Sequence, residues 1–147
     1  VSQGIEPIWS NSYVKDIAKI KTTIKNPFLV DLLEEKGQNT TEVWRSIRDY
    51  DGSVQHLDFL SENEKDVFKT YPEIDQNVIV YQAANRQNHI DQGQSTNVMV
   101  HPDMPIKDVN KIYITAWKLG VKSMYYQHSM NAAQKFKQKK SCDSCEG

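Results

Sequence analysis

Two short runs of this chain carry side chains whose types and spacing suit redox chemistry. The first is Tyr125-Tyr126, inside Lys122-Ser123-Met124-Tyr125-Tyr126-Gln127. The second is Cys142-Asp143-Ser144-Cys145, which holds both cysteines of the chain. A Cys-x-x-Cys pair closes a reversible disulfide with little distortion, and its reactivity follows thiolate fraction and access. Here it follows Gln134-Lys135-Phe136-Lys137-Gln138-Lys139-Lys140, a Lys-rich stretch with no packing pattern. A dithiol on such a tail can carry electrons between two places, whereas one buried in a fold serves one. An oxidoreductase part is therefore the leading expectation.

The elements that would position these residues are uneven. Ile5–Trp9 and Ser12-Tyr13-Val14 are short extended candidates. Asn26-Pro27 reads as an N-cap followed by proline at the first helical position, with Gly37 as the stop, giving a helix Pro27–Lys36 with Phe28, Leu29, Leu32 and Leu33 on one face. Asn39-x-x-Glu42 and Ser61-x-x-Glu64 have the form of capping boxes, and Asp51-Gly52 that of a turn. Pro72 is expected to open a helix to about His89, with Ile74, Val78 and Tyr81 inward.

A strand at Thr96–Val100, a helix from Pro105 to Gly120 and a strand at Val121–Tyr126 then make a βαβ unit, whose strands run parallel. Two strands do not make a stable sheet alone. The receiving sheet is expected outside this chain.

Composition narrows the classes. At 147 residues with 38% hydrophobic content the chain suits one modest core. A net charge of −1 gives no push toward nucleic acid or a membrane, and no apolar run approaches a membrane span. Two cysteines at one end are a poor disulfide framework, so a reducing, cytoplasmic setting is expected. The start at Val1 reads as a processed, split or truncated product.

Taken in order, several runs resemble one family. They are Gly4-Ile5-Glu6-Pro7, Asn26-Pro27, Ile90-Asp91-Gln92-Gly93-Gln94-Ser95-Thr96-Asn97, Ala116-Trp117-Lys118-Leu119-Gly120-Val121-Lys122, Met124-Tyr125-Tyr126 and the terminal Cys-x-x-Cys. Together they resemble the C-terminal portion of the large, catalytic subunit of class I ribonucleotide reductase. The resemblance implies an α/β fold, the last strands and outer helices of a ten-stranded α/β barrel. It divides the chain into a barrel segment, 1–130, and a flexible redox tail, 131–147.

It also implies roles. Tyr125 and Tyr126 match the tyrosine pair that makes the last steps of a radical relay from a separate small subunit. Phenols suit this because a tyrosine with pKa near ~10 stays neutral at pH 7 and releases electron and proton together. Cys142 and Cys145 match the tail dithiol that re-reduces the active-site disulfide and is itself recharged by thioredoxin or glutaredoxin.

Implied partners are the missing barrel segment, the small subunit, one of those reductants and a ribonucleoside diphosphate substrate. Neither nucleic acid nor a membrane is among them. No cofactor or metal falls to this segment. The whole enzyme is expected to use ATP or dNTP effectors and a metal/radical cofactor in the small subunit. Sixteen residues separate Tyr126 from Cys142. That length spans at most about 50–58 Å extended and roughly 20–25 Å as a coil. The chain departs from the complete family pattern in having no third cysteine and no Asn-x-Cys-x-Glu stretch, so it is not catalytic alone.

Plainer readings compete. A Tyr-Tyr dipeptide on a strand is ordinarily one core ring and one surface ring. The terminal Cys-x-x-Cys would be half of a zinc site if His101 and His128 helped it, but four ligands are usual. Trp9, Trp44 and Trp117 read as core or interface anchors, His56 and His89 as surface or helix-end residues. The alternative function is a non-enzymatic interaction module with a redox or zinc-binding tail.

Overall fold

The computed structural model describes residues 5–17 and 20–129, and the chain divides into two compact units at Glu73/Ile74. The expected redox tail, with Cys142 and Cys145, lies outside the described residues.

The first unit opens with a hairpin. Strand β1 (Ser12–Ile17) pairs antiparallel with β2 (Ile20–Lys25), Ser12 opposite Lys25. Only the start of β1 was expected, and Ile5–Trp9 is not a strand. Three helices follow: α1 (Pro27–Glu35), α2 (Thr41–Asp49) and α3 (Glu62–Val67). Asn26 caps α1 as expected, its side chain accepting from the Phe28 N–H, and α3 carries the full Ser61/Glu64 capping box. Phe28 itself is exposed; Leu29 and Leu33 make the buried stripe of α1.

The cap of α2 lies one residue later than expected. Thr40 accepts from Val43 N, while Asn39 is drawn off by Trp44, whose indole N–H donates to Asn39 Oδ1 at 2.6 Å. Leu29, Leu33, Trp44, Ile47, Val54, Leu57, Leu60 and Phe68 form the core. Of the three tryptophans only Trp44 is a core residue. Trp9 is partly exposed and meets Tyr71 edge-on at 5.5 Å.

A buried Asn11 ties the unit together. Its Nδ2 donates to the carbonyls of Gly52 (2.9 Å) and Phe68 (2.8 Å), and its Oδ1 accepts from Asn26. Gly52 sits at φ 88°, and a Cβ there would fall 2.8 Å from Asn11 N. The turn therefore requires glycine.

In the second unit Asp75 caps α4 (Gln76–Gln87). Tyr71–Glu73 is instead a separate 3₁₀ turn, so Pro72 does not open the helix. The buried face of α4 is Gln76, Ile79, Val80, Ala83, Ala84 and Gln87, with Val78 and Tyr81 exposed. The expected spacing was right but the face was rotated, because two glutamines belong to the inner stripe. Gln76 Oε1 accepts from Met99 N, and Gln87 Nε2 donates to the carbonyls of Ile90 and Gln92.

The βαβ unit is present: β3 (Thr96–Met99), α5 (Ile106–Lys118) and β4 (Met124–His128), with β3 and β4 parallel. Gly120 follows α5 at φ 77°. Val80, Val98, Val100, Ile112 and Ala116 make the core, flanked by Val109, Val121 and Met124. The described residues form α/β structure with no closed barrel: β3 and β4 are a two-stranded sheet.

Candidate functional site: an aromatic pair on a bulged strand

The last described strand holds the tyrosine pair. Side chains of adjacent strand residues normally point to opposite faces. Yet the ring centroids of Tyr125 and Tyr126 lie 4.1 Å apart, tilted by 59°. The register explains this. Thr96 pairs with Met124, but Val98 pairs with Gln127, so one residue of β3, Asn97, faces two of β4, Tyr125 and Tyr126. This is a bulge, which locally bends and twists the strand and can re-aim a side chain.

The beginning of β4 is held by the loop after α4. Ser123 Oγ donates to Gln94 O at 2.8 Å, and Lys122 Nζ donates to Asp91 O. Gln94 is fixed in turn, its Nε2 donating to Ala83 O (2.7 Å) and its Oε1 accepting from Arg86 Nε (3.0 Å). On the far side of the pair, Tyr113 OH on α5 donates to Gln127 Oε1 at 3.0 Å. Asn97 Oδ1 accepts from the backbone N–H of Tyr126 at 3.0 Å. Both flanks and the middle of the bulge are therefore tied to neighbouring elements.

Both rings are open to solvent in this chain, 61% and 55% exposed. The arrangement of one core ring and one surface ring is thus not what forms. A side-chain hydrogen bond with Tyr126 raises the pKa of Tyr125 above the ordinary phenol value, with burial adding to it. The hydroxyl stays protonated at neutral pH. The His128 ring lies 5.8 Å from Tyr126. Chemically, the site offers two phenol rings in contact, a side-chain type that can give up an electron and a proton.

His101 stands beside Asp103, 3.6 Å apart, and among the described residues no cluster of three or more His, Cys, Asp or Glu side chains could hold a metal. No described helix is long and apolar enough to cross a membrane. His56 is not a plain surface residue: its Nε2 lies 2.5 Å from Ser46 Oγ and its ring stacks on Tyr50 at 4.0 Å. Sequence reasoning gave no part to the fastening of β4 by Gln94, Ser123, Lys122 and Asn97. The one signal available was an asparagine, a poor strand former, inside a β run.

A family described as ribonucleotide reductase, barrel domain, matches residues 1–127. With that match over most of its length, the chain belongs to the ribonucleotide reductase large (alpha) subunit family. It is 45% identical over 131 residues to the ribonucleoside-diphosphate reductase large subunit of Invertebrate iridescent virus 3, covering 87% of this chain and 21% of that protein.

A second relative, the ribonucleoside-diphosphate reductase subunit alpha of Chlamydia trachomatis, is 34% identical over 133 residues, 90% of this chain and 12% of that protein. Among solved structures, the Actinobacillus ureae class Id ribonucleotide reductase alpha subunit superposes with a TM-score of 0.81 at 53% identity. That match covers 91% of this chain and 24% of that one. The chain thus spans a quarter or less of the length of each of these relatives.

Proposed function

We propose that this chain is a working part of a ribonucleoside-diphosphate reductase, in which ribonucleoside diphosphates become deoxyribonucleotides by radical chemistry. In this reading residues 1–130 complete a ten-stranded barrel whose other strands and catalytic cysteines come from the rest of the large subunit. Residues 131–147 are its redox tail. The observation that carries the reading is the contact of two phenol rings at 4.1 Å on a strand fastened at both ends.

A metal/radical cofactor in a separate small subunit supplies the one-electron oxidant. Each phenol then gives up one electron and one proton, and regains both when the equivalent passes on to a barrel cysteine. Rigid placement matters because such a hop needs the partners in contact. After each turnover Cys142 and Cys145, as thiols, reduce the active-site disulfide and become a disulfide themselves. Thioredoxin or glutaredoxin restores them. ATP and dNTP effectors belong to other parts of the enzyme.

The test is Tyr125→Phe and Tyr126→Phe, each in the full-length large subunit assembled with its small subunit. Phenylalanine keeps the ring and removes the ionisable hydroxyl, so turnover is expected to vanish while circular dichroism is unchanged. Normal turnover in both variants would overturn the relay.

A further inference from the structure

The bulge puts the rings together, and one side chain stands where it could hold the bulge in place. In a regular strand Tyr125 and Tyr126 would face opposite ways. The two-against-one count at Asn97 removes that alternation and takes the Tyr126 N–H out of the regular ladder. Asn97 Oδ1 accepts that N–H at 3.0 Å. Asparagine suits this task because its short side-chain carbonyl reaches nearby backbone amides, a habit that elsewhere makes it a poor strand residue.

We propose that Asn97 is the positioning residue of the tyrosine pair, its side-chain carbonyl fixing the bulge and so the contact between the two rings. This rests on the relay reading for its effect on turnover, and on geometry alone for its effect on the rings. Tyr126 is exposed, so water can take its N–H when Asn97 is replaced. Loss of the acceptor therefore costs placement more than stability. Asn97 touches neither substrate nor cofactor in this account and acts only through the pair.

The experiment uses the full-length large subunit assembled with its small subunit, with 3-fluorotyrosine in place of Tyr126, and compares Asn97→Leu with Asn97→Asp. Leucine removes the acceptor at similar volume, whereas aspartate keeps it. In the Leu variant the fluorine resonance is expected to move. The kcat falls about 10²-fold, as misplacement of reacting groups does. The KM for the nucleotide stays the same. In the Asp variant resonance and rate return most of the way.

Should the Leu variant fail to fold, Asn97→Val, a good strand former with no acceptor, replaces it. A resonance that stays put in the variant lacking the carbonyl overturns the proposal, as does an Asp variant no better than Leu. Full turnover in Tyr125→Phe and Tyr126→Phe would sink the relay alone, and the resonance would still decide the role of Asn97.

Discussion

A Cβ at Gly93 would lie 2.8 Å from Ser123 Oγ, the hydroxyl that fastens the start of β4 to Gln94 O. Gly93→Ala must therefore turn that hydroxyl away and break its hydrogen bond, a loss of about 1 kcal/mol. Amides of Met124–His128 should exchange faster, with α5 little affected. Ser123→Ala leaves a Cβ 3.6 Å from the added methyl, an ordinary contact. The double variant should then cost clearly less than the sum of the singles. Strict additivity by hydrogen exchange would show that the two residues do not share this contact.

His56 is expected to make the first unit sensitive to mild acid. Burial lowers its pKa from the ordinary 6.5, although Asp58 and Glu73 pull the other way. A depressed folded pKa means the neutral ring is favoured in the fold. The associated stability is present above pH 6.5 and is lost as pH falls through the lower folded value. We expect the end of α2, around Ser46, to lose exchange protection below that pH after correction for intrinsic rates. His56→Phe keeps the stack on Tyr50 and should flatten the profile. An equally steep loss in that variant would assign the acid sensitivity elsewhere.

Glu64 titrates the capping box of α3. Its carboxylate accepts from Ser61 N (2.7 Å) and Ser61 Oγ (2.8 Å) and meets Lys36 Nζ at 3.0 Å. The Ser61 backbone bond, then the Ser61 hydroxyl, then Lys36 lower its pKa to about 2. Its contribution is therefore present above pH 4.5 and fades toward about pH 2. In carboxyl NMR titrations, Ser61→Ala should raise the Glu64 value. Ser61→Pro, which fits the φ of −68° and removes the backbone donor too, should raise it further. Little rise in either variant would mean that Lys36 dominates.

For the proposed tail, replacing both Cys142 and Cys145 with serine in the full-length large subunit assembled with its small subunit should nearly eliminate multiple turnover driven by thioredoxin or glutaredoxin. Dithiothreitol diffuses into the barrel without an arm, so activity with it should largely survive, as should about one turnover of pre-reduced enzyme. Equal loss with both reductants would point to a structural role such as metal binding.

Most of the second unit was legible from sequence because its signals are local. Proline, glycine and apolar spacing bracket α5; Thr96 and Val98 mark the strand before it, and the Tyr125-Tyr126 pair marks the strand after it. What escaped was mostly a matter of which groups meet once the chain is folded. The hairpin strand β2 alternates Ile20, Thr22 and Ile24 with Lys21, Thr23 and Lys25, a local strand signal to which sequence reasoning gave no weight, and its ladder with β1 defines it. The cap of α2 moved because Trp44 claims Asn39. The inner face of α4 includes Gln76 and Gln87, whose burial is satisfied by backbone partners: Gln76 Oε1 accepts from Met99 N and Gln87 Nε2 donates to Gln92 O. The tyrosine pair stood out through its family context. The bulge could not, since it is a count across two strands, Thr96 pairing with Met124 but Val98 with Gln127.

That count has a consequence for how the pair tolerates change. A Tyr-Tyr dipeptide is not by itself the feature; the feature is an offset. Deleting one residue between Val98's partner and Thr96's partner would leave both strands paired and the core intact, yet send neighbouring side chains to opposite faces. Length, rather than residue type, is then the fragile variable from Met124 to Gln127. Insertions are better absorbed in the Pro102–Pro105 turn, where no such count is kept.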